Sequence, residues 1–580
     1  MGRIRTDVAG GKHNPDAVSI MEPQAHLLPG SDCRRPMAQL PWPAPPTDCS
    51  AWPAPDGDHL LVSSAEMAAL EEQLFSSGLP VEALMEKAAL AVMARLRRDD
   101  CWPRLQRSGA LVLVGPGHNG GDGLVVAREL HLAGIAVRIW SPFERHKPLT
   151  ATHWRHARWL GVAELEQPPD PADRAVWIDA LFGIGQRRPL EPGLSALLEQ
   201  RRRGGGGLIA IDVPSGLCAD SGQPLGAVAA CATLTCCIGL LKRGLVQDSA
   251  LAWVGQLERI DLGLPPGLLA ALAPATPRLL NRGDDATAPW PALPAAAGKY
   301  ARGRLLLVAG SALYRGAAAL SLRGASASGC GSLRAGLPLA VAEQIWQHQP
   351  HVVVSAALPS ASSGGLNLEE LPPQALERLD AVMLGPGLGG GAGPGESGIW
   401  GPLQQLKALL LLDADGLNRL SGAGAAGAIR WLRDRCGPTW ITPHTGEFAR
   451  LFPSLTDLPP LEAAAQAASA SGCAVLLKGA RSVIAAPDGR RWQLGMANAA
   501  AARAGLGDVL AGYAAGRGAA AMAAGGSADG ALLAAAALEH ALAGDQAVRR
   551  LGVGAATGDA VAAALAARQG VAINETEPRS

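Results

Sequence analysis

Two stretches of the chain hold residues whose types and spacing could do chemistry. The first, GPGHNGGDGLVVA, contains G-x-G-x-x-G at Gly115, Gly117 and Gly120, after the apolar run ALVLV and before a helix-like run. That is the outline of a dinucleotide-binding turn, in which backbone N–H groups and a helix N-terminus hold phosphates. Yet Asp122 puts a carboxylate where anions should dock. Two further apolar runs also end in acids: AVWID at Asp179, and LIAID at Asp212, which Val213, Pro214 and Ser215 follow. In an open parallel sheet, ligands bind beyond the carboxyl ends of the strands. Asn119, Asp122, Asp179 and Asp212 would therefore bring hard oxygen ligands to one edge, a set suited to an alkali or alkaline-earth cation. An ordinary NAD site also wants an acid about 20 residues further on, for the ribose. The next run, AVRIW, ends at Trp140 and Ser141, with Glu144 the nearest acid. A glycine turn that only packs helix on strand is the plainer alternative, but it leaves the coincident acids without a purpose.

The second stretch is AGLGDVLAGYAAG. Gly505 and Gly507 precede a predicted helix that begins near Asp508. Amides at such a start can hold an anion, and Asp508 would stand beside them to take a proton from a hydroxyl near a transferring phosphoryl group. The competing reading is a plain carboxylate at a helix start. No G-x-x-x-x-G-K-[ST] occurs in this half, so the P-loop route to a nucleotide is absent. Other apolar runs end in LLKGARSV with Lys478, TPHTGEF with His444 and Glu447, and DADGLN with Asp413 and Asp415. LGPGLGGG supplies a glycine-rich strand end where backbone can approach a ligand. A lone histidine such as His444 is more often structural than functional.

The elements that must position these residues follow a regular rhythm. Short apolar runs without polar alternation (ALVLVG, AVRIW, AVWIDALFG, LIAIDVPSG) alternate with helical patterns, which predicts a parallel, doubly wound α/β sheet. Two amphipathic helices precede it, the first with Ser64 as its candidate N-cap and Gly78 as its end. The rhythm fades after WVGQLERIDLGLP and restarts at RLLLVAGS, followed by a long Ala/Gly-rich helical tail. We therefore expect a Pro-rich disordered tail over 1–58, one α/β domain over 59–279, a second over 280–572 and a polar tail over 573–580.

Bulk properties exclude some functions. The 580 residues carry 51 Lys+Arg and 51 Asp+Glu, so nothing favours nucleic acid or an anionic membrane as a partner. The longest uncharged apolar stretch, GAVAACATLTCCIGLL, falls short of the roughly 20 residues of a membrane span. Ten cysteines form no C-x-x-C pair, which suits a reducing compartment. No signal peptide is visible, and a soluble cytoplasmic protein is expected.

The segments LMEKAAL, GPGHNGGDGLVVAREL, DALFGIGQRRPL, AIDVPSGL and LLKRGL together resemble the N-terminal YjeF-type NAD(P)H-hydrate epimerases, over about Leu60 to Pro265. The resemblance implies a Rossmann-like fold and interconversion of the R and S hydrates of NADH and NADPH. It assigns substrate contacts to His118, Asn119, Gly120, Gly121 and Asp122, to Gly183, Ile184, Gly185, Gln186, Arg187, Arg188 and Pro189, and to Asp212. It assigns a potassium ion to Asn119, Asp179 and Ser215. Asp212 is our candidate for proton handling; its alternative is a support for the cation. Two positions depart from the family pattern: His118 and Lys87 stand where Asn is usual.

KYARG, LLLVAGSALYRGAAAL, GPGLG, LDADGLN, TPHTGEFARL, LKGARSVI and GLGDVLAG resemble the ribokinase-like ADP/ATP-dependent NAD(P)H-hydrate dehydratases, over about Lys299 to Gly512. That family phosphorylates the ring hydroxyl of the S-hydrate with ADP or ATP, magnesium accompanying the nucleotide, then eliminates phosphate. The resemblance places Ala317, Gly387, His444 and Asp508 at the hydrate. It places Lys478, Gly479, Ala480, Arg481, Ser482 and Gly507 at the nucleotide, with Asp508 as base. Leu506 departs from the usual Ser or Thr between the glycines, and the stretch from GMAN to GLGD is about five residues longer than usual. A homo-oligomer is expected. Two other readings stay open: a small-molecule kinase fused to a binding module, and a non-catalytic sensor of nicotinamide hydrates.

Overall fold

The apolar runs form strands because each can bury side chains on both faces of a sheet. The first sheet comprises β1 (Ala110–Val114), β2 (Val137–Trp140), β3 (Ala163–Glu164), β4 (Val176–Ala180), β5 (Leu208–Ile211), β6 (Leu234–Ile238) and β7 (Gln256–Ile260). Its order is β3-β2-β1-β4-β5-β6-β7, with every pair parallel. Chain direction across the sheet reverses between β1 and β4, the position where such folds open a ligand crevice. Val112, Val114 and Ile178 feed the core on one face, while Leu111, Leu113 and Trp177 feed the other. Helix His118–Leu132 leaves the end of β1. Gly115 makes that turn possible, because a Cβ there would lie 1.6 Å from the Leu181 carbonyl oxygen.

The second sheet has ten strands: β8 (Arg278–Leu280), β9 (Arg304–Val308), β10 (Ser332–Pro338), β11 (Val353–Leu358), β12 (Ala381–Leu384), β13 (Leu409–Leu412), β14 (Thr439–Ile441), β15 (Ala474–Leu477), β16 (Val483–Ala485) and β17 (Arg491–Leu494). Its order is β8-β17-β16-β15-β14-β13-β12-β9-β10-β11. The pairs are parallel except at β15–β16 and β16–β17. Leu305, Leu307, Met383 and Leu411 point into one core, and Leu306, Val308, Leu384 and Leu412 into the other. Helices Arg315–Ala327 and Leu506–Ala523 pack closely, since a Cβ on Gly512 would sit 1.9 Å from the Ser321 carbonyl oxygen.

This computed structural model describes residues 52–272, 276–293, 296–395 and 398–569, and both sheets belong to one unit, Ala44–Ser580. Most of the expected Pro-rich tail and all of the expected polar tail lie outside the described residues. The last seven residues assigned to the first tail do not fit that assignment. Trp52 is 8% exposed in the core of the second sheet, its Nε1 donates to the Asp284 carbonyl, and its own carbonyl accepts from Trp492 Nε1. The expected boundary at 280 also shifts, because Arg278 and Leu279 already pair with Trp492 and Gln493 in the second sheet. The first helix, Ser64–Ser76, is capped by Ser63 rather than Ser64. Glu66 decides this, as it lies three residues after Ser63 and completes a capping box. Among the described residues no helix is long and apolar enough to cross a membrane.

Candidate active sites

The first site is a cavity of about 1010 Å³ at the carboxyl ends of β1, β4 and β5. His118, Asn119, Asp122, Asp212 and the whole loop Gly183–Pro189 line it. Gly120 and Gly121 do not. A Cβ on Gly120 would meet the Gly115 carbonyl oxygen at 2.1 Å, and one on Gly121 would meet Met85 Cε at 2.7 Å, so both are glycines for packing reasons. Helix His118–Leu132 starts at Gly117 with no side-chain cap, which leaves its first amides directed at the cavity.

Asp212 sits at the end of β5 with φ of +68°, a left-handed conformation that costs less for Asp than for most residues. Its Oδ1 is 2.6 Å from the Nζ of Lys242, a fully enclosed ammonium that also donates to the Ile238 carbonyl at 2.6 Å. Its Oδ2 accepts from Ile184 N at 3.3 Å, which holds the Gly183–Pro189 loop over the carboxylate. Burial disfavours the charge on Lys242, but Asp212 more than offsets this and holds the ammonium above its ordinary range. Asp122 goes the opposite way to an ordinary aspartate. Burial, then the negative charges of Asp212 and Glu71, hold its carboxyl well above the usual range. Burial and Asp212 also raise Glu71, against the pull of Lys242. The cavity therefore brings together an acid shifted toward its protonated form and an ion-paired carboxylate.

Asp179 and Ser215 lie behind the cavity wall. Ser215 donates to Asp179 through its N–H at 2.8 Å and its Oγ at 2.7 Å, and Leu181 N adds a third bond at 3.2 Å. Burial still pushes the Asp179 carboxyl up to about 6, because all three donors are neutral. A buried carboxylate without a cation is what a potassium ion would relieve. Asn119 Nδ2 donates to the Ile211 carbonyl at 3.3 Å, which fixes its side chain at the end of the neighbouring strand β5.

Glu71 and Lys242 escaped the sequence reading as site residues, and so did Lys147, which lines the cavity. Lys242 lay inside LLKRGL, where it is followed by Arg243 and nothing local marks it as buried. His118 is exposed at the cavity rim, where partial loss of hydration and Lys147 lower its pKa. Lys87 is exposed beside Gly263 and away from the cavity.

The second site gathers at the carboxyl ends of β12 to β15. Gly387, with φ of +67°, lies against Ala317, to which a Cβ would approach within 2.7 Å. Gly389 N donates to Asp415 at 2.8 Å, tying the glycine-rich loop to DADGLN. Lys478 Nζ reaches Asp413 at 2.5 Å and lies near Gly507, in the first turn of helix Leu506–Ala523. Asp508 is in that turn too. Burial, then Asp413, pushes its carboxyl up to about 7, with Asp415 adding and Lys478 opposing. Leu506 points into the core, so it offers nothing to a ligand. His444 caps helix Thr445–Leu451: its Nδ1 accepts from Gly446 N at 2.9 Å and its Nε2 is 3.0 Å from Glu447 Oε1. Gly479 and Ala480 are exposed, and the N–H groups of Ala480 and Arg481 are held by Asp248 of the first domain. Ser482 Oγ folds back onto Gly479.

Residues 81–244 match the family model described as YjeF-related protein N-terminus, and residues 305–565 match the one described as NAD(P)H-hydrate dehydratase. A bifunctional NAD(P)H-hydrate repair enzyme of Gloeobacter violaceus is 41% identical over 456 residues, covering 78% of this chain and 87% of that one. One of Synechocystis is 41% identical over 457 residues, covering 78% and 84%. The chain belongs to the bifunctional NAD(P)H-hydrate repair enzyme family. The family's two matched parts fall one on each sheet. Among solved structures, an ADP/ATP-dependent NAD(P)H-hydrate dehydratase from Bacillus subtilis, co-crystallized with ATP and Mg2+, is 24% identical with a TM-score of 0.39, covering 50% of this chain and 96% of that one.

Proposed function

We propose that the chain interconverts the R and S hydrates of NADH and NADPH at its first site and dehydrates the S form at its second with ADP or ATP. The observation that carries the first half is the presence in one cavity of Asp122, whose carboxyl burial and neighbouring acids push toward its protonated form, and Asp212, which is ion-paired to Lys242. Opposite protonation preferences side by side are how one site supplies both an acid and a base. Asp122 protonates the departing ring hydroxyl as the ring-nitrogen lone pair expels it as water. Water then adds to the opposite face of that carbon and gives a proton to Asp212. The amides of His118 and Asn119, with Lys147, receive the dinucleotide phosphates. Asn119, Asp179 and Ser215 would hold potassium, whose charge compensates the buried Asp179.

At the second site Asp508 takes the proton of the S-hydrate hydroxyl as its oxygen attacks the terminal phosphoryl group of the nucleotide. Phosphate then leaves with the C–O bond electrons, and a proton lost from the neighbouring ring carbon restores the double bond. Ala317 and Gly387 form the floor for the hydrate, and His444 and its helix start border it. Lys478, Ser482 and Gly507 face the nucleotide. Among the described residues no three His, Cys, Asp or Glu side chains are grouped to hold a metal. The acids Asp413, Asp415 and Asp508, among which Lys478 supplies one positive charge, would suit a magnesium ion arriving on the nucleotide, where it would neutralise phosphate charge. We place the enzyme in the cytoplasm as a homo-oligomer.

One assay tests the whole reading. The protein is mixed with NADH hydrate, magnesium, potassium and either nucleotide, and the absorbance of reduced nicotinamide is followed. Recovery of NADH supports it. A stable phosphorylated hydrate favours a kinase, and no turnover with either nucleotide rules out the dehydratase.

A further inference from the structure

The loop Lys478–Ser482 belongs to the second domain, yet its backbone is held from the first. Asp248 places one carboxylate oxygen 2.8 Å from Ala480 N and the other 2.8 Å from Arg481 N. Gly479 makes this approach possible: a Cβ there would stand 2.6 Å from Asp248 Oδ2. Charge-assisted bonds from two successive amides to the two oxygens of one carboxylate fix both the position and the plane of a turn. The segment that carries Asp248 is itself anchored on the second sheet. Val246 accepts from Gln493 Nε2 at 2.8 Å, Gln247 Nε2 donates to Gln493 Oε1 at 2.7 Å, and Leu245 accepts from Arg481 Nη1 at 3.4 Å. The same segment begins at Lys242, the partner of Asp212.

We infer that Asp248 is a positioning residue for the dehydratase: from the epimerase domain, it holds the nucleotide loop Lys478–Ser482 in its binding-competent shape. The inference rests on the reading that this loop contacts ADP or ATP. Asp248 touches no reacting atom. It acts by keeping the turn ordered before the nucleotide arrives, so Lys478 stays beside Asp413 and Gly507. A binding site that is competent only part of the time loses apparent affinity in proportion. The opposite role, an acid that occupies amides meant for phosphate, predicts the opposite sign.

The test is steady-state dehydration by the full chain at saturating hydrate, with nucleotide varied, for wild type, Asp248→Ala, Gly479→Ala, the double variant and Lys478→Ala. We expect Asp248→Ala to raise the nucleotide KM about fivefold to tenfold, with kcat within about twofold and R/S interconversion unchanged. Gly479→Ala, whose Cβ displaces the carboxylate, should raise KM alike, and adding it to Asp248→Ala should change nothing further. If Asp248→Ala does not fold, Asp248→Asn, which keeps the size but removes the charge-assisted bonds to the two amides, carries the comparison. An unchanged or lowered nucleotide KM overturns the inference, as does a fall in kcat without a change in KM. If Lys478→Ala raises KM while the other variants do not, only the role of Asp248 falls. If Lys478→Ala also leaves KM unchanged, the assignment of the loop to the nucleotide falls with it.

Discussion

Lys242 Nζ lies 2.6 Å from Asp212 Oδ1, and the lysine is 1% exposed while the aspartate borders the cavity. The pair sets the charge of the epimerase site. Removing one member of a buried pair leaves the other charge uncompensated, at about 3–5 kcal/mol. Lys242→Met should therefore lower unfolding free energy by about 3 kcal/mol, the lower end because Asp212 reaches water in the cavity. It should also abolish R/S interconversion, since Asp212 then loses the counter-charge paired with it. Denaturant melts and chiral separation of the hydrates check both, and wild-type epimerisation in this variant would remove the ion pair from the mechanism.

Asp122 offers a cleaner separation of chemistry from folding. Burial, then Asp212 and Glu71, shift its carboxyl toward the protonated form, and Asp122→Asn puts a neutral group of the same size in its place. Stability should change by much less than the loss of about 3 kcal/mol expected for Lys242→Met, because no buried ion pair is broken. Epimerisation should fall at least about a hundredfold, the usual worth of a general acid. A variant that epimerises normally would assign Asp122 to structure.

What was legible in the sequence was the edge of each sheet. Asp179, Asp212, Asp413 and Lys478 follow apolar runs that could only be buried strands, and such strands deliver their C-terminal residues to one side. What escaped came from elements with weaker patterns. Glu71 lies on helix Ser64–Ser76 among other acids, where nothing local singles it out, and its place in the cavity with Asp212 depends on packing between distant segments. Lys242 looks like a surface lysine until β6 and the loop after it bury it. Strands β10 and β11 were missed because Gly, Pro and Ser break their apolar runs. Nothing local in the sequence links Asp248 to Ala480, 232 residues away.

Asp179 makes potassium testable without turnover. A carboxyl whose folded value is about 6, above an unfolded value near 4, binds its proton more tightly in the folded state. Its contribution to stability therefore falls as pH rises between those two values. Potassium holds the ionised form, so its stabilising effect should grow with pH through about 6 and level off above it. The rise in Tm on replacing tetramethylammonium chloride with potassium chloride should be larger at pH 8 than at pH 5, and lost in Asp179→Asn. An equal rise at both pH values would contradict this ligand.

Asp508 predicts a pH profile for the second reaction. A base must be ionised to accept the hydroxyl proton, and burial with Asp413 sets its value to about 7. Dehydration of S-hydrate should rise tenfold per unit below that value and flatten above it. Asp508→Asn should remove NADH recovery by a factor of about a hundred or more and leave R/S interconversion intact. A profile flat from pH 5 to 9 in the wild type would mean that another group takes the proton.

The segment just before the first domain should matter to the second. Trp52 is packed in the core of the ten-stranded sheet and bonded to Asp284 and Trp492, so a residue N-terminal to the epimerase domain belongs to the dehydratase core. Truncating a buried tryptophan leaves a cavity and costs about 3–5 kcal/mol. Trp52→Ala should thus destabilise the dehydratase half by about 3 kcal/mol, while a chain that begins at residue 52 retains both activities. A chain that begins at residue 59 should reproduce the loss, because it lacks Trp52 and also the Pro53 carbonyl that accepts from Arg278 at 2.7 Å. Thermal melts followed by dehydratase activity, with epimerase activity as the internal control, decide it. Equal melting of all four proteins would show that the contact adds nothing to stability.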